Sequence, residues 1–205
     1  PGGVQNLRAQ LEVRHFPAAQ TISSRPVVGA TASTQLGAGS FSLKVGAGAA
    51  VPITLAANAT YADLAPAINA AGTDVTASVI TDNQGTRLVM KGATGAANSF
   101  TFTNASANTA LDAFTWDGAT GGMTRQVQAK DAIILLDGVE QHYSSNTVDT
   151  AIANLRIDLN KAAPGTSVTL ASTEPTTSMR DLMVEFVDAY NTLMKALNSA
   201  TAKGA

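Results

Sequence analysis

The sequence contains no cysteine, and this absence removes several chemistries at once. Without thiols the chain forms no disulfide, offers no thiolate nucleophile and supplies no sulfur ligand for structural zinc. A protein exported without oxidative folding fits this composition. The chain opens with Pro1-Gly2-Gly3, which is not a natural start, so we expect a fragment; no Sec-type signal precedes its first strand.

Charged residues are also scarce. Asp, Glu, Lys and Arg make up 14% of the chain, against about 25% in ordinary soluble domains. The net charge is −2, and no stretch of Lys or Arg forms the basic stripe that binding to phosphates requires. No run of about 18 apolar residues occurs. We therefore expect neither a nucleic-acid partner nor insertion into a membrane.

Aromatic residues make up only 5% of the chain, so its apolar content is mostly Ala, Val, Leu and Ile. This composition predicts modest cores that are not anchored by large rings. The single tryptophan, Trp116, is not expected to dominate the packing.

No combination of residues in the sequence predicts catalysis. His15 and His142 occupy predicted strand positions and lack the nucleophile and orienting acid of a triad. Asp137 is explained by the turn-forming Asp-Gly pair. Residues 82–84 lack the spacing of a calcium loop, and residues 46–48 lack the Lys-Ser/Thr pair of a phosphate loop. We expect no enzyme activity, no cofactor and no metal, although the pattern alone leaves a glycosidase-type carboxylate pair open.

A strand is predicted at residues 11–22, which Pro17 should end or confine to a sheet edge, and the first β-rich unit follows at residues 40–104. Thr60, with Asp63 three residues later, predicts a helix start, and Pro66 should shorten or bend that helix. Alternating apolar residues predict strands at positions 41–45, 51–55, 75–79, 88–90 and 100–102.

A second unit at residues 130–172 repeats the order strand, strand, helix, strand, strand. Asp137-Gly138 predicts a type I′ hairpin. Asn146 or Thr147 is the expected cap of a short helix, because apolar residues at 148, 151, 152 and 155 share one helical face. The Gly-, Ala- and Thr-rich residues 105–128 are predicted to be a connection.

The strongest periodic signal lies at the C-terminal end, where residues 176–200 predict a continuous helix capped by Thr177 or Ser178. Apolar side chains recur at alternating intervals of four and three, which is the a/d pattern of a coiled coil. We call these positions the seam: Met179, Met183, Phe186, Tyr190, Leu193 and Leu197. The spacing alone fits either a core helix of its own domain or a helix that binds partner helices. We favour partner helices, because a lone amphipathic helix of this length is marginally stable in water.

Several segments, in order along the chain, resemble the flagellar hook-associated protein 2 family, the proteins that cap the flagellar filament. The strand and the residues that follow it at 11–20 resemble a family strand, and 64–71 resemble a helix shared with a flagellin repeat motif. Residues 186–191 resemble the opening of the family's C-terminal helix. Further matches lie at residues 75–79, 85–89, 94–98, 131–138, 144–148 and 164–166.

The resemblance implies an α+β fold with two β-rich units, one inserted in the other, and a C-terminal coiled-coil-like helix. The expected domains are residues 1–39 with 127–172, the inserted residues 40–126, and the start of a helical leg at 173–205. The family further implies export by the flagellar type III apparatus, self-association into a ring-like oligomer, and assistance to flagellin insertion outside the cell. Flagellin and the hook–filament junction proteins are the other expected partners.

Two other functions fit part of the pattern. The first is an adhesin-like module whose loops at 23–39 and 105–122 bind host glycan or mucin. The second is a flagellin-like or hook-junction subunit, which shares the helix motif but fits the second unit and residues 186–191 less well.

Overall fold

The structure, a computed structural model, describes residues 7–172 and 179–202. The chain divides into two compact units, Gln10–Thr169 on the one hand and Pro1–Ala9 with Leu170–Ala205 on the other. Two α-helices are described, α1 (Tyr61–Asn69) and α2 (Met179–Ala202). Neither of them is long and apolar enough to cross a membrane.

The remaining regular elements in the described residues are mainly β-strands. They are β1 (Arg8–His15), β2 (Ala19–Ser24), β3 (Gly39–Val45), β4 (Val51–Leu55), β5 (Thr76–Asp82), β6 (Gly85–Thr94), β7 (Phe100–Asn104), β8 (Met123–Val127), β9 (Ala132–Leu136), β10 (Val139–Tyr143), β11 (Thr147–Ile152), β12 (Leu155–Asp158) and β13 (Ser167–Ala171).

These strands form four sheets. The strand orders are β10-β9-β1-β13, β5-β6-β2-β8, β4-β3-β7 and the two-stranded β11-β12. The α+β class and the predicted β-rich architecture are confirmed. Strand β2 pairs with β6 and β8, so it shares a sheet with residues of the 40–126 segment although its own residues precede that segment. The predicted domain boundaries stay a prediction.

Local sequence signals explain several of these elements. Thr60 caps α1, because its backbone N–H donates to Asp63 Oδ2 at 2.7 Å and its hydroxyl donates to the same oxygen at 2.8 Å. Pro66 lies inside a helix of nine residues, in line with the short helix that was predicted. At the β9–β10 hairpin, Asp137 and Gly138 have φ values of 50° and 83°, as a type I′ turn requires.

Large aromatic rings contribute more to the core than composition predicted. Phe41, Phe100, Phe102 and Phe114 are all fully buried. Phe41 stacks on Phe102 with ring centroids 4.3 Å apart, and Tyr61 meets Phe114 edge-on at 5.4 Å. The expectation of a core without ring anchors is therefore wrong, because few aromatics are present but they are concentrated at one place.

The connection predicted at residues 105–128 is also wrong. Leu111 and Phe114 sit on a 3-10 turn and are fully buried, and Trp116 and Met123 join the same core. Strand β8 completes the sheet that contains β2. Glycine and alanine in this segment permit tight backbone packing: a Cβ added to Gly122 would lie 2.2 Å from the carbonyl oxygen of Asp112. The segment is thus part of the folded domain.

The short helix predicted after residue 146 is wrong as well, because Thr147–Ile152 is strand β11 and pairs with β12. Four of its six residues are β-branched, which favours a strand over a helix. Val148 faces Ile157, and both side chains are buried. Asn154 turns the chain between the two strands with a φ of 62°.

Candidate partner-binding helix

The polar side chains of the described residues form no cluster of the kind that holds a metal ion. No group of three or more His, Asp or Glu side chains there is placed to hold a metal ion. His142 lies on edge strand β10, with its Nε2 3.1 Å from Glu140 Oε1, and both side chains are exposed. His15 Nδ1 lies 3.4 Å from the carbonyl oxygen of Phe16.

The depressed pKa values belong to carboxylates that close turns and a helix end. A hydrogen bond from the Thr60 N–H lowers the pKa of Asp63, and bonds from the N–H groups of Gln84 and Thr120 lower those of Asp82 and Asp117. All three are exposed and serve as local caps. This use of carboxylates is structural, since each accepts from backbone of its own turn.

The seam lies on α2, the predicted C-terminal helix. The helix runs from Met179 to Ala202, so it is confirmed; the predicted caps Thr177 and Ser178 lie outside the described residues. At about 1.5 Å per residue its 24 residues extend roughly 36 Å. That length gives the a/d pattern about three heptads in which to contact another helix.

The seam side chains that the structure describes are exposed. Relative exposures lie between 54% and 69% for five of them: Met183, Phe186, Tyr190, Leu193 and Leu197. Met179 is the first residue of the helix, and its side chain is not among those that the structure describes. Such a row of large apolar side chains is the usual mark of a surface that another chain segment covers.

Sequence spacing alone understated the width of this apolar surface. Leu182, Val187 and Met194 are exposed on the same helix and border the seam. At about 100° per residue, the apolar side chains from Ala196 round to Val187 span an arc of about 180°. The sequence contains the signal for this width, because Leu182, Val187 and Met194 each lie four positions before or after a seam residue.

Known families and proteins share both the sheets and this helix. Residues 129–204 match the family model described as the flagellar hook-associated protein 2 C-terminus, and residues 40–94 match the flagellin hook IN motif. The chain is 29% identical over 208 residues to the B-type flagellar hook-associated protein 2 of Pseudomonas aeruginosa, a match that covers 94% of this chain and 44% of that protein. It is 28% identical over 138 residues to the flagellar hook-associated protein 2 of Salmonella typhimurium, covering 66% of this chain and 29% of that one.

Solved structures give the same result for the fold. The crystal structure of FliD from Pseudomonas aeruginosa aligns with a TM-score of 0.80 at 26% identity, covering 96% of this chain and 93% of that one. The D1-D2-D3 domains of the flagellar cap protein FliD from Escherichia coli align with a TM-score of 0.78 at 26% identity, covering 97% and 68%. The chain spans less than half the length of the curated relatives it matches.

Proposed function

We propose that this chain, which belongs to the flagellar hook-associated protein 2 family, is the β-rich part and the beginning of a leg helix of a cap protein at the tip of the bacterial flagellar filament. In this role it acts outside the cell as a structural protein and not as an enzyme. It assembles into a ring-like oligomer that assists the insertion of flagellin, and the hook–filament junction proteins are its further partners.

One observation carries this proposal: two flagellar family models match separate segments of this chain, and a solved relative shares its fold along nearly the whole length of both chains. The description of the Escherichia coli structure as a flagellar cap protein supplies the role. The surface of α2 supports it independently, because a scaffold needs an apolar surface that a partner covers.

We further propose that the seam packs against helices from other segments of the whole protein. The match covers 44% of the Pseudomonas aeruginosa relative, so much of a whole protein of that length lies outside these residues. A two-stranded coiled coil buries only the narrow a/d stripe, whereas an arc of about 180° suits contact with two neighbouring helices. Helices of neighbouring subunits are the other occupants that the experiment below distinguishes.

Complementation tests the cap role. The whole protein, expressed in a strain of its own species that lacks the cap gene, is expected to restore filament growth, which electron microscopy of the cells measures directly. Failure to restore filaments by a protein that is exported and folded would contradict the proposal. Electron micrographs of the purified whole protein should show rings.

The substitution Leu193→Asp tests the seam. Burying a carboxylate among apolar side chains costs several kcal/mol, so in the whole protein we expect the variant to lose filament growth and helix packing. Asn191→Asp places the same residue on the polar side of α2 and is the matched control, expected to behave as wild type. In the 205-residue chain, Leu193→Asp should leave the β-sheets unchanged.

Two readouts separate the occupants of the seam. If the seam packs within one subunit, Leu193→Asp lowers the thermal stability of monomeric whole protein; if it packs between subunits, sedimentation shows smaller oligomers while the monomer keeps its stability. Unfolding of the sheets in the 205-residue chain would instead show that the seam packs on its own domain, which would overturn the partner-helix proposal.

A further inference from the structure

Two short segments connect the sheet that contains β1 and β9 with the sheet that contains β2 and β8. Residues 16–18 join β1 to β2, and residues 128–131 join β8 to β9. The two segments pair at one point, where the N–H groups of Ala18 and Lys130 donate to each other's carbonyl oxygens at 2.9 and 3.0 Å. This antiparallel bridge is the one backbone pairing between the two segments that the described residues show, so we take the two segments together as a hinge between the sheets.

A loop from one sheet reaches across this hinge to the other. Thr94, at the end of β6, donates from its hydroxyl to the carbonyl oxygen of Ser144 at 2.7 Å. The N–H of Ala96 donates to Asp131 Oδ1 at 2.8 Å. Asp131 directly precedes β9 and Ser144 directly follows β10, so both partners of the loop belong to the neighbouring sheet.

Gly95, between the two donors, is held in close contact. Its N–H donates to the carbonyl oxygen of Ala18 at 3.3 Å, so the loop also contacts the hinge segment itself. Its φ is +104°, and an added Cβ would lie 2.6 Å from the Cβ of Ser144. Both the backbone conformation and the lack of space therefore require glycine.

We propose that residues 94–96 are a latch, which with Asp131 and Ser144 holds the two sheets at one angle, and that its release frees the hinge at 16–18 and 128–131. Three segments that the family resemblance singled out separately, 94–98, 131–138 and 144–148, meet at this latch. Their common task is mechanical, and it is distinct from packing of the core. The latch concerns the Gln10–Thr169 unit alone and does not depend on the cap role.

The absence of cysteine makes this proposal directly measurable, since two introduced cysteines are the only thiols. Asn83→Cys and Val139→Cys place spin labels at the exposed tips of the β5–β6 and β9–β10 hairpins, one on each side of the hinge. Double electron–electron resonance then gives the distribution of label distances in the 205-residue chain. We expect one narrow distribution in the latched protein.

Opening the latch should broaden that distribution. Thr94→Val with Asp131→Ala removes both side-chain bonds, and we expect the width to at least double. Gly95→Ala pushes the loop away from Ser144 by a steric clash and should also broaden the distance distribution. Asp131→Asn keeps an acceptor oxygen and should retain the narrow width, which separates the hydrogen bond from the charge.

The control is Asp63→Ala, which removes a carboxylate-to-backbone bond of similar length, 2.7 Å, at the start of α1. It should lower stability without changing the width. A narrow distribution in the folded double variant, or equal broadening by Asp63→Ala, would overturn the latch. Near-ultraviolet circular dichroism of each variant establishes that it is folded. Should the double variant unfold, a narrow distribution in folded Gly95→Ala overturns the latch in the same way.

Discussion

The buried side chain of Gln20 offers the sharpest test of how the sheets are joined. Its Nε2 donates to the carbonyl oxygen of Phe100 at 2.8 Å, and its Oε1 accepts from the N–H of the same residue at 3.0 Å. Both residues are almost fully buried. The amide thus pairs with β7 as a neighbouring strand would, two residues from the bridge between Phe102 and Trp116. We predict that Gln20→Ala destabilises the protein strongly.

The magnitude follows from the groups that the substitution leaves behind. An unsatisfied buried backbone donor or acceptor costs about 1–3 kcal/mol, so the two groups of Phe100 together cost about 2–6 kcal/mol. A domain of this size is stable by about 5–15 kcal/mol, so the variant loses a large share of its free energy of unfolding. Water entering the space left by the side chain would reduce the loss toward the lower figure.

Urea unfolding followed by tryptophan fluorescence measures this loss, because Trp116 is the only tryptophan and is buried in the same core. Gln126→Ala is the matched control: Gln126 is exposed on β8 and bonds the Ser23 hydroxyl, so we expect less than about 0.5 kcal/mol. Gln20→Met keeps the shape but not the amide. We expect it to be nearly as unstable as Gln20→Ala.

Two results would refute this reasoning. If Gln20→Met regained wild-type stability, the side chain would contribute by volume and not by its hydrogen bonds. If Gln20→Ala lost no more than Gln126→Ala, the edge of β7 would be satisfied without Gln20. These comparisons require that every variant keeps the wild-type dependence of the free energy of unfolding on urea concentration, since a change in that slope would reflect the unfolded state.

Three further predictions rest on the same kind of contact. Asn69→Ala should cost about 2–4 kcal/mol in urea, because it leaves the N–H and carbonyl of Ala77 unpaired, although partial exposure favours the lower figure. Lowering the pH from 5 to 3 should lower the urea concentration at the unfolding midpoint. Folding lowers the pKa of Asp63, so this carboxylate loses its stabilising effect as the pH falls through its pKa in the unfolded chain and then through its pKa in the folded protein. Asp63→Asn should flatten that pH dependence. Gly138→Ala should lower the free energy of unfolding by about 1 kcal/mol, because φ there is +83°.

Signals that act over a few residues were predictable from the sequence. Asp137-Gly138 needs positive φ at both positions, and Thr60 with Asp63 closes a helix start, so each pattern determines its own local geometry. Pro17 lies where β1 ends and the chain passes to another sheet. In these cases no distant contact competes with the local preference, and the prediction is confirmed.

Predictions failed where distant contacts decide the structure. Apolar residues at 148, 151, 152 and 155 fit a helical face, yet pairing of β11 with β12 prevails because Val148 buries itself against Ile157. Composition made residues 105–128 resemble a linker, but Leu111 and Phe114 fill the core. A periodicity over ten residues carries no information about which strand lies beside it.

The two amide contacts show why the junction of β2 with β7 and that of α1 with β5 were not predictable from the sequence. The NH2 and C=O groups of a carboxamide lie side by side, so Gln20 and Asn69 can each donate to and accept from one strand residue, as a neighbouring strand would. In sequence, both look like ordinary surface polar residues. At an edge strand, some backbone N–H and C=O groups have no neighbouring strand to pair with. Leaving these groups buried and unpaired costs more free energy than burying one amide side chain that bonds them. Polar side chains beside a strand end should therefore be tested for this double bond before they are assigned to solvent, and the stability of Gln20→Met decides whether that rule holds here.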